Sequence, residues 1–384
     1  MERPEHKILL ACAQVPKDLG SRDRIVSALR EPIDWDYLTK TAGLHRVTSL
    51  LYWHLKACCP DAAPQAVLEK LHAHFLESAA NNLFLTAELL NILKLFDENG
   101  IPAIPFKGPV LAHTLYENLA LRESSDLDIL VEEQNVFRAL QLLPAIGYKK
   151  IPTYAPRVEA EILKREYHFQ TGKKDKIDLV EIHWDVVPRY LALPLSIEHW
   201  WERAVTVSIP PRAAANLSGE DLLMALSAHG SRHMWESLGW ISDVARLLHS
   251  YPRLDWDYVF SKYSHPDLRR VLALALNVAH EVLDAEVPRE ILPVIKRDHA
   301  VSELTQEIRQ NLFTKPDKQG GLRSIVFQLK LKSSCLNRMR LCSRVFSTPT
   351  MLEWGLSLPR ILFPLYFVAR PFRLLRKHLR RKNR

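Results

Sequence analysis

The sequence predicts an α+β fold in which a small β-sheet lies between an N-terminal and a C-terminal helical region. Apolar residues recur at helical spacing through residues 6–100. Residues 101–131 and 177–184 instead contain the short apolar runs and the alternation that are typical of strands. Helical spacing returns at Ser218. We therefore expect a helical region at residues 1–100, an α/β core at 101–210, a helical region at 211–346 and an appendage at 347–384.

The N-terminal helices have recognisable ends. Asp34 precedes an apolar-periodic segment, and its carboxylate is expected to cap that helix by accepting free backbone N–H groups. A long helix is predicted from Ala66 to Asn99, because Glu98-Asn99-Gly100 is a typical C-terminal signal. The Leu, Phe and Ile stripe of this helix is expected to cover the sheet.

The centre of the chain predicts a strand, a tight turn, a helix and a second strand. The first strand is expected at Ile101–Phe106 and the helix at Val110–Asn118. Gly108 allows a sharp turn and a close approach to a ligand, and Pro109 suits the first helical position, which needs no N–H group. The free N–H groups at the start of this helix could bind an anion such as a phosphate.

Two carboxylates lie on one face of the second strand. Asp126 and Asp128 are two residues apart in Asp-Leu-Asp-Ile-Leu-Val, so a strand places both on the same side. Like charges repel unless a cation lies between them. Oxygen ligands of this type suit Mg²⁺, or Mn²⁺ in its place, shared with a substrate phosphate.

A third carboxylate is expected from the strand at Ile177–Trp184. Alternation puts Glu181, His183 and Asp185 on one face and Asp178 on the other. The rest of the core predicts a helix at 134–143, a short strand after Gly147-Tyr148, a helix at 157–164 and a strand at 166–171.

The C-terminal region begins with a helix capped near Ser218. Five residues in it would share one face of an uninterrupted helix: His229, His233, Glu236, Trp240 and Asp243. Gly230 and Gly239 indicate an interruption. The histidine pair has a zinc spacing, but Gly230 stands where that motif needs a glutamate. A polar face lining the substrate cleft is therefore favoured over zinc, with buried structure as the alternative. Further helices are predicted at 255–284 and 322–344.

Composition and charge indicate an ordinary globular protein. The formal charge of +8 is carried by eight basic residues in the last fifteen, and the remainder sums to zero, so the body gives no reason to expect nucleic acid as a partner. Five cysteines without a CxxC pair predict a reduced, cytoplasmic chain. The sequence contains no run of about 20 apolar residues, so no membrane-spanning helix is predicted.

The appendage combines an apolar run at 361–369 with the basic tail. Such a combination at residues 354–384 suits an anionic membrane surface, so peripheral contact with the inner membrane face is one expectation. A docked segment with a solvated basic end is the alternative.

The ordered motifs resemble the bacterial uncharacterised nucleotidyltransferase family over about residues 35–290. The resemblance rests on Lys107-Gly108, Tyr116, Arg122, Asp126-Leu127-Asp128, Glu181 before His183-Trp184, His229-Gly230-Ser231, and a Trp-Ile-x-Asp segment ending at Asp243. It implies the mixed-sheet core of the nucleotidyltransferase superfamily, which has a DNA polymerase beta-like fold. One departure is Gly108-Pro109, where the wider superfamily usually has Gly-Ser.

The resemblance implies metal-dependent transfer of a nucleoside monophosphate from an NTP donor to an unidentified hydroxyl-type acceptor. Asp126, Asp128 and Glu181 would be catalytic and bind Mg²⁺ or Mn²⁺. The phosphates would contact Lys107, Gly108, Arg122 and Ser125. The substrate cleft would include His183, His229, His233 and Asp243, although His183 suits a hydrogen-bonded supporting position better than direct catalysis.

Two other functions compete with this one. The Gly108-Pro109 turn favours a catalytically inactive protein that senses a nucleotide or serves as a scaffold at the inner membrane surface. The presence of all three carboxylates argues against it. A phosphotransferase of the aminoglycoside-kinase type would need a catalytic Asp followed by a metal-binding Asn, and the sequence has no convincing pair.

Overall fold

The computed structural model describes residues 3–15, 19–151, 163, 168–173, 176–314 and 320–347. The predicted helix at 157–164, apart from Leu163, and the appendage from residue 348 lie outside these ranges. The α+β fold class is confirmed, with a small mixed sheet flanked by helices.

The N-terminal region consists of helices, as predicted: α1 (Pro4–Ala13), α2 (Leu19–Ala28), α3 (Trp35–Leu44), α4 (Thr48–Cys58) and α5 (Gln65–Glu98). Asp34 caps α3, because its Oδ1 accepts the Tyr37 N–H at 3.0 Å. The 34-residue helix α5 packs in two places. Leu71 belongs to the helical core, whereas Leu85 to Phe96 contribute to the core of the sheet.

The main sheet has five strands in the order β1-β2-β5-β4-β3. They are β1 (Ala103–Pro105), β2 (Asp126–Val131), β3 (Lys149–Ile151), β4 (His168–Lys173) and β5 (Lys176–His183). Helices α6 (Pro109–Tyr116) and α7 (Val136–Leu142) connect strands, with 3₁₀ turns at Glu133–Asn135 and Leu143–Ile146. Among these five described strands, only β2 and β5 pair in parallel, and their register puts Asp128 opposite Glu181. The central strand β5 and its parallel neighbour β2 therefore carry the predicted carboxylates.

A two-stranded hairpin follows the sheet and was not predicted from the sequence. It contains β6 (Val205–Ile209) and β7 (Arg212–Asn216), joined at a cis Pro210-Pro211 peptide. A 3₁₀ turn (Arg189–Leu191) and α8 (Glu198–Glu202) precede it. Ile209 and Ala214 pack into the core of the sheet.

The C-terminal region contains α9 (Gly219–Arg232), α10 (Leu238–Ser250), α11 (Trp256–Lys262), α12 (Pro266–Leu283), α13 (Leu292–Lys296), α14 (His299–Asn311), α15 (Gly320–Leu331) and α16 (Cys335–Ser347). The predicted single helix at 322–344 is wrong, since it breaks between Leu331 and Cys335. Ser333 donates both its N–H and its Oγ hydrogen to Asp267 Oδ1, at 2.7 and 2.6 Å. These bonds draw the backbone out of the helical path.

The predicted interruption after His229 is present, but it does not occur at the glycines. Helix α9 continues through Gly230 and ends at Arg232, and Gly239 lies inside α10. Between them, Met234 and Trp235 have positive φ angles of 55° and 54°. The ring of Trp235 is fully buried and occupies the space where a side chain at position 230 would project. Gly230 thus makes room for the break rather than forming it.

The described residues form two main hydrophobic cores. One is shared by the N-terminal and C-terminal helices, and the other lies between the sheet, α7 and the second half of α5. The division at residues 100 and 210 stays a prediction. None of the five cysteines, all of which are described, forms a disulfide. No helix in the described part of the chain is long and apolar enough to cross a membrane.

Candidate active site

A cavity of about 250 Å³, here called the carboxylate cavity, opens over the centre of the sheet. It is bounded by the α3–α4 turn, the β1–α6 turn, strands β2, β4 and β5, and the adjoining parts of α9 and α10. Its lining residues are Arg46, Lys107, Gly108, Arg122, Glu123, Ser124, Asp126, Asp128, His168, Gln170, Glu181, His229, Arg232, His233 and Trp240. Eight of the predicted site residues are therefore brought together.

The turn at Gly108 requires glycine. Its φ is 61°, and a Cβ atom there would lie 2.9 Å from the backbone oxygen of Asp126. An L side chain rarely adopts this conformation and would also push the turn away from β2, which carries Asp126 and Asp128. Arg122 supports the turn, because its Nη1 donates to the Gly108 oxygen at 3.2 Å.

Asp128 is buried between two partners. Lys107 Nζ lies 2.8 Å and His183 Nε2 2.9 Å from its Oδ1. Burial acts to raise the pKa of Asp128, but the Lys107 ammonium and the His183 hydrogen bond outweigh burial and hold the pKa well below its ordinary range. Asp128 is consequently an ionised carboxylate with a cation already beside it.

Asp126 has a different environment. Burial, which is the larger cause, and the negative charge of Asp128 together raise the pKa of Asp126 to about 6. An ionised Asp126 is therefore costly without an added positive charge. A divalent cation at this position would remove that cost.

Glu181 completes the carboxylates and is held by three polar side chains. Gln170 Nε2 donates to its Oε1 at 3.0 Å, His183 Nε2 lies 3.2 Å from its Oε2, and His168 Nε2 lies 3.6 Å from its Oε1. Burial acts to raise the pKa of Glu181, but the hydrogen bond from His183, together with the charges of His183 and His168, outweighs burial and lowers the pKa.

His168, Glu181 and His183 also form a candidate metal-binding group. The ligand atoms of these three side chains all lie within 4.8 Å of one another. Among the described residues, no other set of three or more His, Cys, Asp or Glu side chains meets this criterion. Asp126 and Asp128 are not part of the group. Sequence reasoning missed His168 and Gln170, although their alternation on β4 was a usable signal. Their pairing with His183 and Glu181 is set by the register of β4 and β5.

A buried network behind the cavity joins three of the family-motif residues. Asp243 accepts two hydrogen bonds from Arg122, Nε to Oδ1 at 2.9 Å and Nη2 to Oδ2 at 3.0 Å. Its Oδ1 also accepts the Tyr116 hydroxyl at 2.8 Å. The Arg122 and Asp243 side chains are only 14% and 3% exposed. The network fixes Arg122 to the end of α6 and to α10.

His229 and His233 form an aromatic wall with Trp240. Their ring centroids are 4.8 Å apart and lie 5.5 and 4.9 Å from the Trp240 ring. Burial lowers the pKa of His229 well below its ordinary value and that of His233 to about 3, so both rings are neutral. In the described part of the chain, no third His, Cys, Asp or Glu side chain forms a metal-binding group with them.

Three predicted cleft or phosphate residues lie elsewhere. Ser125 lines a neighbouring cavity of about 810 Å³, here called the outer groove. His183 is buried beneath Asp128 and Glu181 and does not line the carboxylate cavity, which agrees with a supporting role. Asp243 was expected in the cleft but is buried against Arg122, since a bidentate ion pair satisfies it there.

Asp178 and Asp185 are the alternatives to Glu181 as the third carboxylate of the site. Asp185 Oδ1 accepts the Val186 N–H at 2.7 Å, and Asp185 is not among the residues that line the carboxylate cavity. The side chain of Asp178 lies outside the described part of the structure. Glu181 does line the cavity, opposite Asp128.

Two basic residues of the cavity were also missed. Arg46 comes from the turn between α3 and α4, and Arg232 from the end of α9. Arg232 stands beside the His-Gly-Ser motif, which was a weak signal. Arg46 has no local signal in the sequence, because it reaches the site only when the N-terminal helices pack on the core.

A family model described as an uncharacterised nucleotidyltransferase matches residues 31–284. No curated protein and no solved structure matches this chain significantly. The matched range contains every motif named above and covers well over half of the chain. The chain therefore belongs to the uncharacterised nucleotidyltransferase family.

Proposed function

We propose that this protein transfers a nucleoside monophosphate from an NTP to a hydroxyl-type acceptor in the carboxylate cavity. The acceptor oxygen would form a bond to the α-phosphorus, and the bond from that phosphorus to the β-phosphate would break and release pyrophosphate. Family membership supports nucleotidyl transfer in general. The observation that carries the finer proposal is the parallel pairing of β2 and β5, which sets Asp128 opposite Glu181 with Asp126 on the same strand. Neighbouring strands lie about 4.8 Å apart, so a cation between them can bind carboxylates from both strands.

Divalent cations fit these residues. Asp126, Asp128 and Glu181 would hold Mg²⁺ or Mn²⁺, and the Lys107 ammonium at 2.8 Å from Asp128 indicates that the site already favours positive charge. Bound cations would stabilise negative charge on the attacking and leaving oxygens of an in-line displacement. The raised pKa of Asp126, about 6, is consistent with a carboxylate that is incomplete without such a charge.

The protein's own residues would bind and orient the donor. Lys107, Arg122 and the open Gly108 backbone would contact its phosphates, with Arg122 held in place by Asp243. Glu181, kept ionised by the hydrogen bond from His183 and by the charges of His183 and His168, would accept the proton that the acceptor hydroxyl loses. The neutral wall of His229 and His233 would contact the donor without adding charge.

Calorimetry would test this proposal. Nonhydrolysable ATP, GTP, CTP and UTP analogues would be titrated into the protein with and without Mg²⁺. We expect Mg²⁺-dependent binding of at least one analogue, and its loss in Asp126→Asn.

Asp185→Asn is the matched control. Burial raises the pKa of Asp185 to about 6 as well, but this carboxylate lies outside the cavity. Binding should survive in Asp185→Asn. Unchanged binding in Asp126→Asn, or no binding in the folded wild-type protein, would contradict the proposal.

A catalytically inactive nucleotide sensor or scaffold is the second candidate. Pro109 at the turn favours it, because the serine hydroxyl usual in the wider superfamily is missing there. Nucleotide binding without transfer to any acceptor would support this reading. Membrane contact through residues 354–384 and a cytoplasmic location rest on the sequence alone, and sedimentation with anionic liposomes would test the contact.

A further inference from the structure

Arg46 occupies a backbone position that favours glycine. Helix α3 ends at Leu44, after which the Val47 N–H donates to Ala42 O at 3.0 Å and the Arg46 N–H to Gly43 O at 3.2 Å. This is the Schellman pattern, whose left-handed residue is most often glycine. Arg46 holds that place with a φ of 56°. A non-glycine residue here costs stability, so its side chain is a candidate for a functional role.

The turn that carries Arg46 is fixed on both sides. The His45 oxygen accepts the Gly239 N–H at 3.0 Å and the Ser237 hydroxyl at 2.9 Å. On the other side, Glu123 Oε1 accepts the Thr48 N–H at 2.7 Å. The turn is thereby attached to the start of α10 and to the residue after Arg122, so Arg46 is held at the edge of the site.

The guanidinium of Arg46 is available to a ligand. The residue is exposed and lines both the carboxylate cavity and the outer groove. Lys107 is paired with Asp128 and Arg122 with Asp243. In the part of the chain that the structure describes, no ion pair or hydrogen bond engages the Arg46 side chain.

We infer that Arg46 binds the β- and γ-phosphates of the NTP donor where the carboxylate cavity meets the outer groove. This inference rests on the proposed function. The planar guanidinium can donate two parallel hydrogen bonds to phosphate oxygens, a geometry that a lysine cannot reproduce. It would supply, from the N-terminal helical region, a phosphate contact that the Gly108-Pro109 turn lacks.

The test uses inorganic tripolyphosphate with Mg²⁺, because this probe does not depend on the base. In Arg46→Gly, calorimetry should show affinity for tripolyphosphate lowered about ten- to hundredfold, as expected for lost charge-assisted hydrogen bonds. Binding of a nucleoside monophosphate should change much less. Stability against urea should stay equal or rise, since glycine suits this φ.

Glu117→Gly is the matched control. Glu117 is exposed, has a φ of 54° and does not line the carboxylate cavity. This substitution relieves the same backbone strain and should leave tripolyphosphate affinity unchanged.

If Arg46→Gly bound tripolyphosphate as tightly as the wild-type protein, the inference about Arg46 would be overturned but the proposed function would not. An equal loss of affinity for tripolyphosphate and for the monophosphate would have the same consequence. A wild-type protein that binds neither tripolyphosphate nor any NTP analogue would overturn the proposed function together with it.

Discussion

Replacing Asp126 by Asn should stabilise the metal-free protein. Burial and the charge of Asp128 raise the pKa of Asp126 from 3.8 to about 6. One pKa unit corresponds to about 1.4 kcal/mol, so keeping this carboxylate ionised at pH 7 costs the fold up to about 3 kcal/mol. The side chain is partly exposed and solvent screens it, so we expect an increase of about 1–3 kcal/mol in the free energy of unfolding.

The increase should depend on pH in a defined direction. Between pH 4 and pH 6 the folded protein retains a proton on Asp126 that the unfolded chain has already lost. Raising the pH through this window therefore lowers the stability of the wild-type protein more than that of Asp126→Asn, in which the raised pKa of Asp185 still has the same effect. The difference between the two should be full above about pH 6 and should vanish towards pH 4.

Urea unfolding followed by circular dichroism, in EDTA at several pH values, would measure this difference. Adding Mg²⁺ should then stabilise only the wild-type protein, by about 1.4 kcal/mol at ten times the dissociation constant. A variant no more stable than the wild type at pH 7.5 in EDTA would refute the electrostatic reasoning. So would a difference that stays constant from pH 7.5 to pH 4.5.

Three further substitutions test the framework of the site, each by urea unfolding. Asp243→Ala should cost about 3–5 kcal/mol, because it leaves Arg122 charged, buried and without its ion-pair partner. Gly108→Ala should cost about 1–3 kcal/mol and abolish Mg²⁺-dependent nucleotide binding, because a Cβ there meets the Asp126 backbone and φ is positive. Gly230→Ala should cost about 3 kcal/mol, since its methyl group would overlap the buried Trp235 ring.

Two surface substitutions serve as controls for these losses. Glu98→Gln removes an exposed ion pair with Lys94 and should change stability by less than about 0.5 kcal/mol. Gly20→Ala adds a methyl group in α2 with no atom within 4 Å, so it should be neutral or slightly stabilising. If Asp243→Ala or Gly230→Ala proved as mild as its control, the corresponding contact would not support the fold.

Much of the site follows from local sequence, because turns, caps and strand alternation depend on neighbouring residues. Gly108-Pro109 predicted the strand-to-helix turn, and Gly108 indeed has a φ of 61°. The spacing of Asp126 and Asp128 predicted a shared face, and both line the cavity. Asp34 predicted the start of α3 for the same local reason.

Other parts were decided only by contacts between residues distant in sequence. The register of β2 and β5 sets Asp128 opposite Glu181, and no local pattern specifies which residues of two strands pair. Asp243 lies behind the cavity because it meets Arg122, 121 residues earlier in the chain. The break at Ser333 depends likewise on Asp267.

The sequence by itself therefore determined the fold class, the carboxylate-bearing strands and the glycine turn, all of which are encoded within a few residues. Tertiary structure alone decided that Gly230 serves the packing of Trp235 and that Arg46 reaches the cavity edge. The physical reason is that burial and charge pairing depend on which elements pack together, and these energies exceed the local preferences that a sequence pattern reports.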